Sequence, residues 1–116
     1  MLIRTWSLDA ITIIDVHGHL DVESGAALHD ALGELFAAGR CSVVLNLVGI
    51  TGIDAAGLGM LVDAFATAQT ARGDLKIVVR SASTRELLAR THLLGLLPTV
   101  TTEAEAITAF ERVHSR

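Results

Sequence analysis

Residues 42–60 read SVVLNLVGITGIDAAGLGM, and this stretch decides the fold. Residues 42–47 (SVVLNL) are short and almost wholly apolar, the pattern of a strand covered on both faces of a sheet. From Leu58 onward the spacing turns helical, with Leu58, Leu61, Val62, Phe65 and Ala68 on one face. Asp54 stands where a helix N-cap belongs. Its carboxylate is expected to accept from the backbone N–H of Ala56 or Gly57 and to oppose the positive end of the helix. A buried strand running straight into a helix is one half of a parallel β–α–β unit.

Outward from this stretch the unit repeats. Residues 75–79 (LKIVV) form another buried strand, preceded by Gly73, which is expected to close the helix before it. On the other side, residues 2–8 (LIRTWSL) alternate loosely and read as an edge strand. Residues 11–16 (ITIIDV) read as a more buried one, and Gly18 is expected to break that run. Asp21 is the expected N-cap of a helix carrying Leu28, Leu32, Leu35 and Phe36 on one face, with Gly39 at its C-terminal end. Toward the C-terminus, Ser83 with Glu86 reads as a capping box opening a helix that carries Leu87, Leu88 and Ala89. Pro98 ends the apolar run LLGLLP and leaves a short strand near residues 99–101. Thr102 with Glu105 reads as a second capping box before a last helix, on which Ala106, Ala109, Phe110 and Val113 cluster. The order is ββαβαβαβα. It predicts a single α/β domain over residues 1–116, with a mixed, mostly parallel sheet of about five strands covered by about four helices.

Composition agrees with one self-sufficient domain. The chain has 116 residues, 51% hydrophobic and 19% charged, with mean hydropathy +0.52, too apolar for a disordered segment. The longest uncharged run, residues 41–53, holds 13 residues, short of the ~20 that a spanning helix needs, so membrane insertion is not expected. The opening MLIRTWSLDA lacks the apolar core and small-residue cleavage site of a signal peptide. The lone cysteine, Cys41, has no partner for an internal disulfide, and a reducing, cytoplasmic setting is expected. Net charge is −4, from 9 Lys and Arg against 13 Asp and Glu, and the basic residues are scattered singly. With three Phe, one Trp and no Tyr there are few rings on which bases could stack, so nucleic acid is not an expected partner.

Catalytic and metal chemistry find little support in the residues. His17 and His19 flank Gly18, with Asp21 close behind, but no further His or Cys is spaced to complete a zinc set; His29, His92 and His114 stand apart. Cys41 follows Arg40 yet has no histidine near it in sequence, and reads as a small buried thiol. No nucleophile elbow, zincin or P-loop pattern occurs. Gly57-Leu58-Gly59 opens a helix after a strand, as a phosphate site would, but the third glycine and a nearby Lys are missing and Asp54 would repel an anion. Neither a cofactor nor a metal is expected.

The information lies in the helix start itself. Ala-Ala-Gly-Leu-Gly gives a first turn with almost no side chain on its outer surface, so another protein can approach closely. The alternative role for Gly57 and Gly59 is to let the helix pack tightly on the sheet.

V-V-L-N-L-x-G-I-x-x-I-D-A-A-G-L-G resembles the signature of STAS domains, the fold of anti-sigma factor antagonists. In that family a strand ends in Asp/Asn-Leu, and an Asp-Ser-Ser/Thr/Ala-Gly-Leu-Gly loop and helix follow. The resemblance extends over nearly the whole chain: His17-Gly18-His19-Leu20-Asp21, Arg72-Gly73-Asp74-Leu75, and Thr101-Thr102-Glu103-Ala104-Glu105-Ala106 match the family's second strand end, its glycine before the next strand, and its last helix start. His92 departs from a position where the family commonly has Gly. The resemblance implies a non-enzymatic regulator that binds a kinase-type anti-sigma factor and so controls sigma-factor-dependent transcription. In the family, phosphorylation of the Ser after the loop Asp switches binding off, by adding roughly 1.5–2 negative charges at the contact. Carried over, the loop Asp is Asp54 and the phosphoacceptor position is Ala55, which has no hydroxyl; the next position, often Ser or Thr, is Ala56. Thr51 is the nearby hydroxyl to which a phosphate site would have to move; its other role is to end the strand and bond the local backbone.

The expected contact surface is therefore Asp54, Ala55, Ala56, Gly57, Gly59, Met60 and Asp63, with Leu58, Leu61, Val62 and Phe65 facing the sheet. Two other functions fit the same residues: a STAS subunit of a transport or lipid-trafficking ABC complex, and a nucleotide or small-ligand module using Gly57 and Gly59. Self-association is left open by the sequence.

Overall fold

A computed structural model describes residues 2–40, 42–90 and 99–114. The readings made for Cys41, His92 and Pro98 fall outside them. The elements are β1 (Leu2–Leu8), β2 (Ile11–Leu20), α1 (Val22–Ala37), β3 (Ser42–Ile53), α2 (Ala55–Thr70), β4 (Asp74–Val78), α3 (Ala82–Arg90), β5 (Thr99–Val100) and α4 (Glu103–His114). The five strands form one sheet in the order β1-β2-β3-β4-β5, with β1 antiparallel to β2 and the other pairs parallel. This is the predicted single α/β domain.

Alternate residues of the central strands feed two cores, as period-two geometry requires. Ile14, Val16, Val43, Leu45, Leu47, Leu75 and Ile77 point to one face and pack under Leu28 and Leu32 of α1, Leu58 and Leu61 of α2, and Leu88 of α3. Ile11, Ile13, Val44 and Val78 point to the other, where Ala106 and Phe110 of α4 cover them. Among the described residues, three helices thus lie on one side of the sheet and one on the other.

Several boundaries differ from expectation. Gly18 does not end β2; it takes φ 110 and the strand runs on to Leu20. β3 likewise continues past Leu47 to Ile53. The pairing passes from Asp15↔Asn46 to His17↔Gly49 and from Gly18↔Ile50 to His19↔Gly52, so β3 carries an extra residue at each step. Such bulges break the period-two pattern and hide the strand's second half from a periodicity reading.

The end of α2 also shifts. Arg72, at φ 57, takes the left-handed position, and Gly73 follows it, donating its N–H to Ala68 O at 2.8 Å. At α3 the Ser83–Glu86 box does not form. The helix starts at Ala82, and Ser81 Oγ accepts from Thr84 N at 3.4 Å and shares a hydrogen bond with Ser83 Oγ at 2.9 Å. Of two competing hydroxyls the earlier one caps, which carries Thr84 into the buried layer. Half of the last box is as expected: Glu105 N donates to Thr102 Oγ1 at 3.1 Å. The Glu105 carboxylate, however, accepts from Thr101, at 3.3 Å from its N–H and 3.1 Å from its hydroxyl.

Candidate functional site: the start of the second helix

The site is built where β2 and β3 end side by side, Leu20 opposite Ile53. Asp54 leaves the sheet in an extended conformation (φ −101, ψ −176) and caps α2: its Oδ1 accepts from Gly57 N at 2.9 Å, and Asp54 O accepts from Leu58 N at 3.0 Å. Its own N–H donates to Leu20 O at 3.2 Å, which ties the helix start to the end of β2.

The two glycines divide the roles between which the sequence left a choice. Gly57 is buried, and a Cβ there would overlap the Leu20 carbonyl oxygen and come within 2.9 Å of Ile53 Cγ1. It is the residue that lets helix and strand approach, so it shapes the surface from beneath and is not itself exposed on it. Gly59 is exposed, with nothing within 4 Å of where a Cβ would stand.

Of the other expected surface residues, Asp54, Ala55 and Asp63 are exposed and Ala56 is half-buried. Met60 is also half-buried, since its side chain lies where a Cβ of Gly25 in α1 would be. On the opposite side of the helix Leu58 and Leu61 are buried, and Val62 and Phe65 are half-buried against the same core. Thr51 is exposed at the second bulge of β3, with no residue of β2 opposite it.

The neighbouring start of α1 adds two residues that the sequence reading did not single out. Ser24 completes a reciprocal box with Asp21: Asp21 N donates to Ser24 Oγ at 2.8 Å and Ser24 N to Asp21 Oδ1 at 3.0 Å. The backbone N–H and hydroxyl of Ser24 hold the Asp21 carboxyl below the usual carboxylate range; burial opposes this and the nearby His19 adds to it. Val22 is 69% exposed. It lies off the Leu28–Leu32 stripe, which was the signal available in the sequence. His19 lies near Asp21, but among the described residues no three His, Cys, Asp or Glu side chains are grouped to hold a metal ion.

No match was found among curated proteins. Several solved structures are similar over nearly the whole length of both chains. An anti-sigma factor antagonist from Mycobacterium paratuberculosis is 24% identical, with 93% of this chain and 92% of that one covered and a TM-score of 0.82. The Bacillus antagonist SpoIIAA in its unphosphorylated form is 14% identical, with 99% and 100% covered and a TM-score of 0.72; its phosphorylated form is similar too. A variant of RsbS from Moorella thermoacetica is 11% identical, with 98% of each chain covered and a TM-score of 0.84. The model of the STAS domain matches residues 3–106, and the chain belongs to that family.

Proposed function

We propose that this chain is a partner-binding regulator of the anti-sigma factor antagonist kind that carries no phosphate switch at its docking surface. The partner is a kinase-type anti-sigma factor, and binding it releases a sigma factor for transcription. The surface is the start of α2, formed by Asp54, Ala55, Ala56, Gly59, Met60 and Asp63, with Gly57 supporting it. One observation carries the reading: Ala55, at the position where the family carries its phosphoacceptor, is an exposed methyl directly after the capping Asp54. A kinase reaching this surface finds no hydroxyl, so the complex does not dissociate in response to ATP.

The test is calorimetric titration of the anti-sigma factor with and without ATP, followed by phosphopeptide mapping. The expected result is the same affinity in both and no phosphate on residues 54–57. Ala55→Ser should then make binding ATP-sensitive. Stoichiometric phosphate on Thr51, with loss of the complex, would overturn the reading by moving the switch to β3.

A further inference from the structure

We propose that the sheet face bearing α4 holds a second site, independent of the docking surface, that binds an organic cation: an ammonium or guanidinium group on an apolar body. The site is a cavity of about 150 Å³ lined by Asp15, His17, Asn46, Val48 and Gly49. Its chemistry is set by Asp15 Oδ1, the one buried side-chain oxygen or nitrogen among the described residues without a hydrogen-bond partner. A carboxylate oxygen withdrawn from water and left unpaired is unfavourable, and such atoms in native folds point to a missing donor.

The surrounding groups do not supply that donor. Asn46 is engaged elsewhere: its Nδ2 donates to Glu103 Oε2 of α4 at 2.9 Å, and its Oδ1 accepts from Val48 N at 2.9 Å. Arg4 faces Asp15 in the β1–β2 register but is exposed and makes no ion pair with it. The His17 ring lies across Gly49, where a Cβ would overlap it, and so forms a wall of the cavity.

The neighbouring strand β1, outside the cavity lining, adds to the character of the site. Leu2 stands opposite His17 and Trp6 opposite Ile13, so both flank Asp15 diagonally on the same face. Leu2 is 56% exposed, Trp6 43% and Val48 42%. An exposed indole at a diagonal register position from a carboxylate suits a cation, through its ring face, and Val48 in the cavity wall suits an apolar stem. A bare metal ion fits less well, because a single carboxylate falls short of the six to eight oxygen ligands of Ca²⁺ or the octahedron of Mg²⁺.

Trp6 is the chain's one tryptophan, and it stands diagonal to Asp15 across the β1–β2 pair, so its fluorescence serves as the reporter. Wild-type protein is titrated with butylguanidinium, with the neutral isostere butylurea, and with the peptide Ac-Leu-Arg-Leu-NH2. Saturable quenching by butylguanidinium is expected, at least tenfold tighter than by butylurea, and lost in Asp15→Asn, which keeps the size and shape of the side chain and should fold normally. Arg4→Gln, which removes a competing cation, should bind at least as tightly as wild type. A peptide that binds tighter than butylguanidinium identifies a protein side chain as the natural occupant; a weaker one identifies a free amine or guanidine. No saturation, equal binding of butylurea, or unchanged affinity in a folded Asp15→Asn would overturn the proposal. The comparison of butylguanidinium with butylurea on the wild type decides it even if the variant does not fold.

Discussion

Gly57 and Gly59 sit two residues apart in one helix and answer to opposite constraints. A methyl at Gly57 has to displace the Leu20 carbonyl or separate helix from strand, so Gly57→Ala should cost about 1–3 kcal/mol. A methyl at Gly59 enters open space in a helix interior, so Gly59→Ala should add about 0.5–1 kcal/mol. Urea denaturation of the two variants checks the contrast, and equal effects would contradict it. Spacing alone could not separate these glycines, because the discriminating atom, Leu20 O, comes from a strand more than thirty residues earlier in sequence. Asp21 was legible as a cap, since a carboxylate ahead of an amphipathic run is a local signal. Its acid behaviour follows from its partners. The folded carboxyl titrates below its unfolded value, so its stabilisation is present above the ordinary Asp range, about pH 3.9, and is lost as pH falls through the folded value. Asp21→Ala should therefore lower the urea midpoint at pH 7 and converge with wild type in strong acid.

At the scale of elements, the parts read correctly are those whose determinants are local. The apolar runs at residues 42–47 and 75–79 became β3 and β4, and the Leu28–Leu32 and Leu58–Leu61 stripes became the buried faces of α1 and α2. The parts misread are those settled by competition. Ser81 and Ser83 both offer a capping hydroxyl, and burial of Thr84 favours the first. The second half of β3 is held by pairing with β2 through two bulges, and a periodicity argument cannot register a strand that skips residues. The close of α2 is a further case: Gly73 was expected to close the helix, but it is Arg72 that takes the left-handed conformation. A side chain there is strained, whereas glycine is not. Arg72→Gly should raise stability by about 0.5–1 kcal/mol, read as a higher melting temperature; a lower one would show that the Arg72 side chain contributes more than its backbone strain costs.

For the whole molecule, strand–helix alternation was enough to give a mostly parallel sheet, because parallel neighbours require crossovers. It did not say that, among the described residues, α4 would be the helix covering the second face, with Leu2, Trp6 and Val48 exposed. The proposed docking surface stands out in the sequence for a different reason: its residues fall in one short stretch, and an Asp followed by two Ala and two spaced Gly is an unusual way to start a helix. As proposed above, this helix start is a contact surface with a methyl where a switch would be. Ala55→Glu, followed by thermal melting and by titration with the proposed anti-sigma factor partner, separates stability from binding. An acidic residue at a helix N-terminus is mildly favourable, by ~0.3–1 kcal/mol, so the melting temperature should hold or rise slightly. An unpaired charge desolvated in the complex costs several kcal/mol, so affinity should fall at least a hundredfold. An unchanged melting temperature with a lost complex is the predicted result; wild-type affinity in a folded Ala55→Glu protein would contradict the account and place the partner on another surface.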